Sequence, residues 1–78
     1  MVLKMPGKKM IIRFYNNSGA LENTVKFLDN IKKKVNFIDL TVDVERNDIK
    51  IILNGTRDLQ YLAREKLEDL ARQFLLIN

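Results

Sequence analysis

Ile38-Asp39-Leu40-Thr41-Val42-Asp43-Val44-Glu45, followed after Arg46-Asn47-Asp48 by Ile49-Lys50-Ile51-Ile52-Leu53-Asn54, is the stretch that decides the fold. Ile38, Leu40, Val42 and Val44 alternate with Asp39, Thr41, Asp43 and Glu45, so one face of an extended strand is apolar and the other wetted. Ile49, Ile51 and Leu53 repeat that alternation against Lys50, Ile52 and Asn54. Arg46-Asn47-Asp48 is a short polar link with a residue tolerant of positive φ. The two strands form a hairpin.

The chain on either side supplies what the hairpin's apolar face must pack against. On the C-terminal side, Asn54-Gly55 ends the strand and residues 55–78 read as one long helix, free of Gly and Pro after Gly55 and opened by Thr56 as N-cap. Leu59, Leu62, Ala63, Leu67, Leu70, Phe74 and Ile77 recur at helical spacing and form the expected core stripe. Tyr61 lies to its flank, and Leu75-Leu76 carry the apolar run around the helix. On the N-terminal side, Leu21, Val25, Leu28, Ile31 and Val35 predict a helix over 20–35, with Asn17 or Ser18 as its cap. Glu22 sits in its first turn and Lys32-Lys33-Lys34 in its last, as the helix dipole favours. Before it, residues 8–15 predict a first strand with Met10, Ile12 and Phe14 on one face and Ile11, Arg13 and Tyr15 on the other. Pro6-Gly7 closes a lead-in over 1–7 that could add a strand of its own.

The order is therefore strand, helix, strand, strand, helix, in one α+β domain over 8–78: a three-stranded, antiparallel-type sheet with both helices on one face. It is a ferredoxin-like arrangement without the last strand. With the third strand between the other two, the first keeps a free edge, and Ile11, Arg13 and Tyr15 mark it as a dimerisation edge. Apolar surface on the last helix exceeds what three short strands cover, so Tyr61, Leu70, Phe74, Leu75, Leu76 and Ile77 are candidates for partner binding.

Composition narrows the chemistry. The 78 residues include no Cys and no His, which removes disulfides, thiolate metal sites and the commonest general base and metal ligand. Asp39 and Asp43 stand about 13 Å apart along a strand, too far to share a metal or a proton, and read as a solvated face. Asn17-Ser18-Gly19 before a helix reads as capping rather than as a phosphate loop. The chain is expected to be a non-enzyme, without cofactor or metal and, lacking a long apolar run, outside the membrane in the cytoplasm. A net charge of +4 is a modest pointer to an anionic partner. The candidate nucleic-acid contacts are Lys8, Lys9, Arg13, Lys32, Lys33 and Lys34. No aromatic residue lies on the third strand, against the stacking platform of sequence-specific RNA readers.

From about Lys9 to Ile77 the pattern resembles the small dimerisation subunit of the KEOPS complex, which supports threonylcarbamoyladenosine formation on tRNA. The local likeness is greatest from Ile38-Asp39-Leu40 through Ile51-Ile52-Leu53, then Thr56-Arg57-Asp58 and the helix from Leu62 to Leu70. Leu62 is followed by Ala63, with Arg64 one place later, and Leu67-Glu68 stands where that family tends to place Asn-Ser. These departures fit a divergent paralogue, such as an accessory partner of the dimerisation subunit. The resemblance implies a non-catalytic protein that pairs through its sheet with itself or a related small subunit. It also implies helices docked on a catalytic subunit and basic residues that help hold tRNA. Two alternatives stand beside it: an independent nucleic-acid-binding protein using its lysines, and a ferredoxin-like regulatory dimer.

Overall fold

A computed structural model describes residues 8–75; the expectations for Met1–Gly7, Leu76 and Ile77 lie outside them. The chain runs β1 (Lys8–Tyr15), α1 (Leu21–Lys34), β2 (Asp39–Glu45), β3 (Asp48–Gly55) and α2 (Arg57–Phe74). The sheet order is β1-β3-β2, with β3 antiparallel to both neighbours. The α+β architecture expected from the alternation is the one observed.

Register explains why β3 is the most apolar strand. Ile49, Ile51 and Leu53 pair with Phe14, Ile12 and Met10 on one side and with Val44, Val42 and Leu40 on the other. Side chains alternate faces, so these nine share one face, the one the helices cover. The three from β3 are at most 1% exposed. Against them pack Phe27, Ile31 and Val35 around α1, and Ala63, Leu67, Leu70, Ala71 and Leu75 from α2 and its C-cap. Phe14 and Phe27 meet edge to face, with ring centroids 5.5 Å apart and planes at 76°.

Both helices are rolled relative to the expected stripes. On α1 the buried face is Thr24, Phe27 and Ile31, while Leu21 and Val25 are 70% and 58% exposed. Burying Phe27 in place of Val25 removes more apolar area from water, and Thr24 is held inward by a bond described below. On α2 Gln60 takes the place expected for Leu62, donating from Nε2 to the Leu53 carbonyl at 3.1 Å, and Leu62 is 43% exposed. Thr56 caps α2 as expected, its side chain accepting from the Leu59 amide. The N-cap of α1 is Ala20, with no side-chain cap of its own.

Two turns need left-handed backbone. Glu45 pairs with Asp48, so the hairpin loop is the two residues Arg46-Asn47, and positive φ (60°) falls on Arg46 instead of the asparagine. Gly19, at φ 77°, turns the chain from β1 into α1 with open space around it.

Candidate interaction surface along the first strand

Among the described residues only β3 has strands on both sides, so β1 and β2 each present one row of backbone N–H and C=O groups with no strand partner there. On the uncovered face the register sets four rows across the sheet. They are Lys9-Asn54-Asp39, Ile11-Ile52-Thr41, Arg13-Lys50-Asp43 and Tyr15-Asp48-Glu45. Basic side chains thus gather along β1 and acidic ones along β2. Ile11 and Tyr15 are each 52% exposed, the apolar component of the β1 side. Among the described residues, the ion pairs lie within the helices (Glu22–Lys26, Asp29–Lys33, Arg64–Glu68 and Asp69–Arg72), and none joins Arg13, Lys50 or Asp43.

Above the edge of β1 lies the flank of α2. Arg13, Phe14 and Tyr15 line a shallow depression together with Glu68, Arg72 and Leu75. Tyr61 is on the same flank, two turns before Glu68, and is 54% exposed. The end of β1 is fastened to this helix. The Asn17 amide donates to the Leu75 carbonyl at 2.9 Å, and the Asn16 amide donates to the Asn47 carbonyl at 2.8 Å.

Asn16, which the sequence analysis did not single out, organises that end. It is 1% exposed and donates from Nδ2 to the Ala20 carbonyl at 2.9 Å and to Thr24 Oγ1 at 2.8 Å. Its Oδ1 accepts from the Ser18 amide at 2.9 Å and from Ser18 Oγ at 2.6 Å. One amide side chain thus fixes the turn, the start of α1 and the roll of the helix. A signal for it was present, because Asn followed two residues later by Ser is the pattern of an Asx-turn.

The expected site residues divide by burial. Ile11, Arg13 and Tyr15 stand together along β1, as the edge expectation requires, and Tyr61 is open on the adjoining helix flank. Phe74 is partly buried against the core. Leu70 and Leu75, at 2% and 1% exposure, are core residues rather than surface ones: Leu70 lies on the expected core stripe, and the helix roll turns Leu75 toward the sheet. Leu21 and Val25 instead form an apolar pair one turn apart on the outside of α1. Lys32, Lys33 and Lys34 are all exposed at the end of α1, and Lys33 reaches Asp29 at 3.6 Å. Lys9 lies at the same end of the sheet, opposite Asn54 beside Asp39, but on the uncovered face, so the two basic groups occupy different layers.

Among the described residues no acidic cluster could hold a metal, and no helix is long and apolar enough to cross a membrane. No protein-family model and no curated protein matches this chain.

Proposed function

We propose that this chain is a non-catalytic assembly module: β1 accepts a partner strand, and the exposed helix surfaces dock on a larger subunit. The observation that carries the reading is the edge of β1. It is eight residues long, paired with no strand of the described residues along one side, and accompanied by half-exposed Ile11, Tyr15 and Tyr61. Such an edge offers main-chain hydrogen bonds for affinity and alternate side chains for selectivity.

The KEOPS-like pattern from Lys9 to Ile77 supports a finer version, in which the module serves a cytoplasmic tRNA-modification complex. Its sheet pairs with itself or a related small subunit, its helices contact a catalytic subunit, and Lys9, Arg13 and Lys32 to Lys34 touch tRNA. The test is a tagged pull-down from native lysate, with and without nuclease, read by mass spectrometry. Recovery of a kinase-like and an ATPase-like protein regardless of nuclease is the expected result. Recovery of nuclease-sensitive material alone favours a second reading, an independent nucleic-acid binder, for which the three exposed lysines ending α1 are the supporting observation. That reading requires affinity that falls steeply with salt, and a smaller slope once Lys32, Lys33 and Lys34 are replaced by Ala.

A further inference from the structure

Beyond assembly through β1, we propose that the opposite edge, β2, takes an extended segment of another protein in which aliphatic side chains alternate with lysine or arginine. Three features meet along that edge. The first is its row of backbone N–H and C=O groups, which has no strand partner among the described residues. An added strand satisfies such a row, and its alternate side chains then face opposite layers.

The second is an aliphatic wall on the helix side. α2 packs over β1 and β3 and against α1, so the side of α1 away from α2 overlooks β2. Phe27 marks the near side, since it reaches across to Phe14 on β1. Leu21, Val25 and Leu28 lie about 100–160° round the helix from Phe27, on the far flank. β1 and β2 are both antiparallel to β3, so α1, which joins them, runs back antiparallel to β2. Leu21 therefore stands near the Val44 end and Leu28 near Leu40; the helix positions span about 10 Å and Val44 to Leu40 about 13 Å. Leu21 and Val25 are more than half exposed and Val44 is 42% exposed, while Leu28, Leu40 and Val42 are partly buried. A strand set beside β2 at the usual spacing brings its inward side chains under this wall. The flank of α2 above β1 carries Tyr61, Glu68 and Arg72 instead.

The third is charge. Asp39, Asp43 and Glu45 are exposed on the uncovered face of β2, and among the described residues no ion pair engages them. Opposed residues of an antiparallel pair share a face, so the outward residues of an added strand stand directly against this row. Opposite charges there stabilise and like charges destabilise, so the row turns away a second acidic edge and selects a basic segment. Antiparallel to β2, the seven residues that fit read Lys-Val-Lys-Val-Thr-Val-Lys. The lysines oppose Glu45, Asp43 and Asp39, the threonine opposes Thr41, and the valines oppose Val44, Val42 and Leu40.

The test uses that heptapeptide, labelled with fluorescein, and two controls: Lys-Lys-Lys-Thr-Val-Val-Val, of the same composition, and Glu-Val-Glu-Val-Thr-Val-Glu, of the same alternation. Fluorescence anisotropy is expected to give the first peptide at least about tenfold the affinity of either control, and Val25→Lys to weaken it about tenfold. Val25 is exposed, so that variant should keep the wild-type circular dichroism. The chain contains no Cys, so engineered thiols report the edge directly. With Cys in place of its threonine, the peptide should form a disulfide with a Thr41→Cys variant on mild oxidation and not with Ile11→Cys, because directly opposed Cα atoms stand about 5 Å apart. Equal affinity for the block peptide, or none for any of the three, overturns the groove. Cross-linking to Ile11→Cys alone moves the segment to β1 and overturns the choice of edge. Mass that rises with concentration in the wild type and not in Val25→Lys makes a second copy the occupant and overturns a foreign segment. The reading of β1 is tested apart from these arms, by loss of the partners captured from lysate in Ile11→Lys, which places a further cation on that edge.

Discussion

Along β1 the uncovered face carries Lys9, Ile11, Arg13 and Tyr15; along β2 it carries Asp39, Thr41, Asp43 and Glu45. Among the described residues both strands end the sheet, and both leave a row of backbone groups without a strand partner. The chemistry placed beside those rows differs. On β2, three carboxylates in four positions leave few antiparallel self-pairings without opposed negative charge. On β1, cations alternate with Ile and Tyr, and several registers avoid every like-charge opposition. Charge on an edge strand is a familiar way to prevent unwanted addition. Here it is applied more heavily to one edge than to the other, and that asymmetry is what supports the proposal of β1 as the edge that accepts a strand.

The covering of the two edges also differs, and the largest effect should come from there. β1 is held against α2 by Leu75, whose side chain is 1% exposed and whose carbonyl accepts the Asn17 amide. Leu75→Asp buries a carboxylate with no partner and should cost about 4 kcal/mol or more, most of the stability of a domain this size. The expected circular dichroism is that of an unfolded chain. Tyr61→Asp, on the exposed flank of the same helix, should change stability by no more than about 0.5 kcal/mol. A Leu75→Asp protein melting like the wild type would remove the packing that distinguishes the β1 side.

Asn16 comes next. At the end of β1 it makes hydrogen bonds from both ends of a buried amide, whereas β2 ends in a plain two-residue turn. Asn16→Ala strands the Ser18 amide and removes the tie to Thr24, and should cost about 2 kcal/mol in urea unfolding. A double-mutant cycle with Thr24→Val should show a coupling of about 0.5 kcal/mol or more. Additive losses would mean that Asn16 does not set the roll of α1.

That same residue marks the limit of what the sequence made legible. Period-two alternation over 38–54 was enough for the hairpin, and the absence of Gly and Pro after Gly55 was enough for α2. The free edge followed from strand order, and with it Ile11, Arg13 and Tyr15. The roll of the helices did not follow, because two overlapping stripes exist on α1. Leu21-Val25-Leu28 and Thr24-Phe27-Ile31 both have helical spacing, and apolar counting prefers the first. The second is the one buried, since Thr24 answers the Asn16 amide and Phe27 meets Phe14. On α2 Gln60 overrides Leu62 in the same way, by reaching a backbone carbonyl. Buried polar groups chosen by their partners carry no periodic signal. Leu75 counted as surplus surface, and Leu70 as both core stripe and partner surface, because the apolar run exceeded what three short strands are expected to cover.

The protection assigned to β2 can be removed without touching the core. Asp39, Asp43 and Glu45 are exposed, so replacing all three by Thr should leave the unfolding midpoint within a few degrees. Apparent mass in sedimentation should then rise with concentration beyond that of the parent, as the second edge becomes available. The same three substitutions combined with Ile11→Lys should still associate, now through β2 alone. Unchanged mass at every concentration would mean that the acidic row does not guard the edge.

The smallest effects concern the turns at which the two edges end. Each contains one residue in left-handed backbone, but β1 leads into Gly19 and β2 into Arg46. A side chain in that conformation costs about 1 kcal/mol, and glycine's greater freedom in the unfolded chain offsets part of any gain from removing it. Gly19→Ala meets no atom within 4 Å, so it should lose about 1 kcal/mol through backbone strain alone. Arg46→Gly should gain about 0.5 kcal/mol, a rise of roughly 2–4 °C in thermal midpoint. Opposite signs at the two positions would establish that the β1 turn is already relaxed and the β2 turn is not. A loss at Arg46→Gly would mean that its side chain does more for the hairpin than its conformation costs.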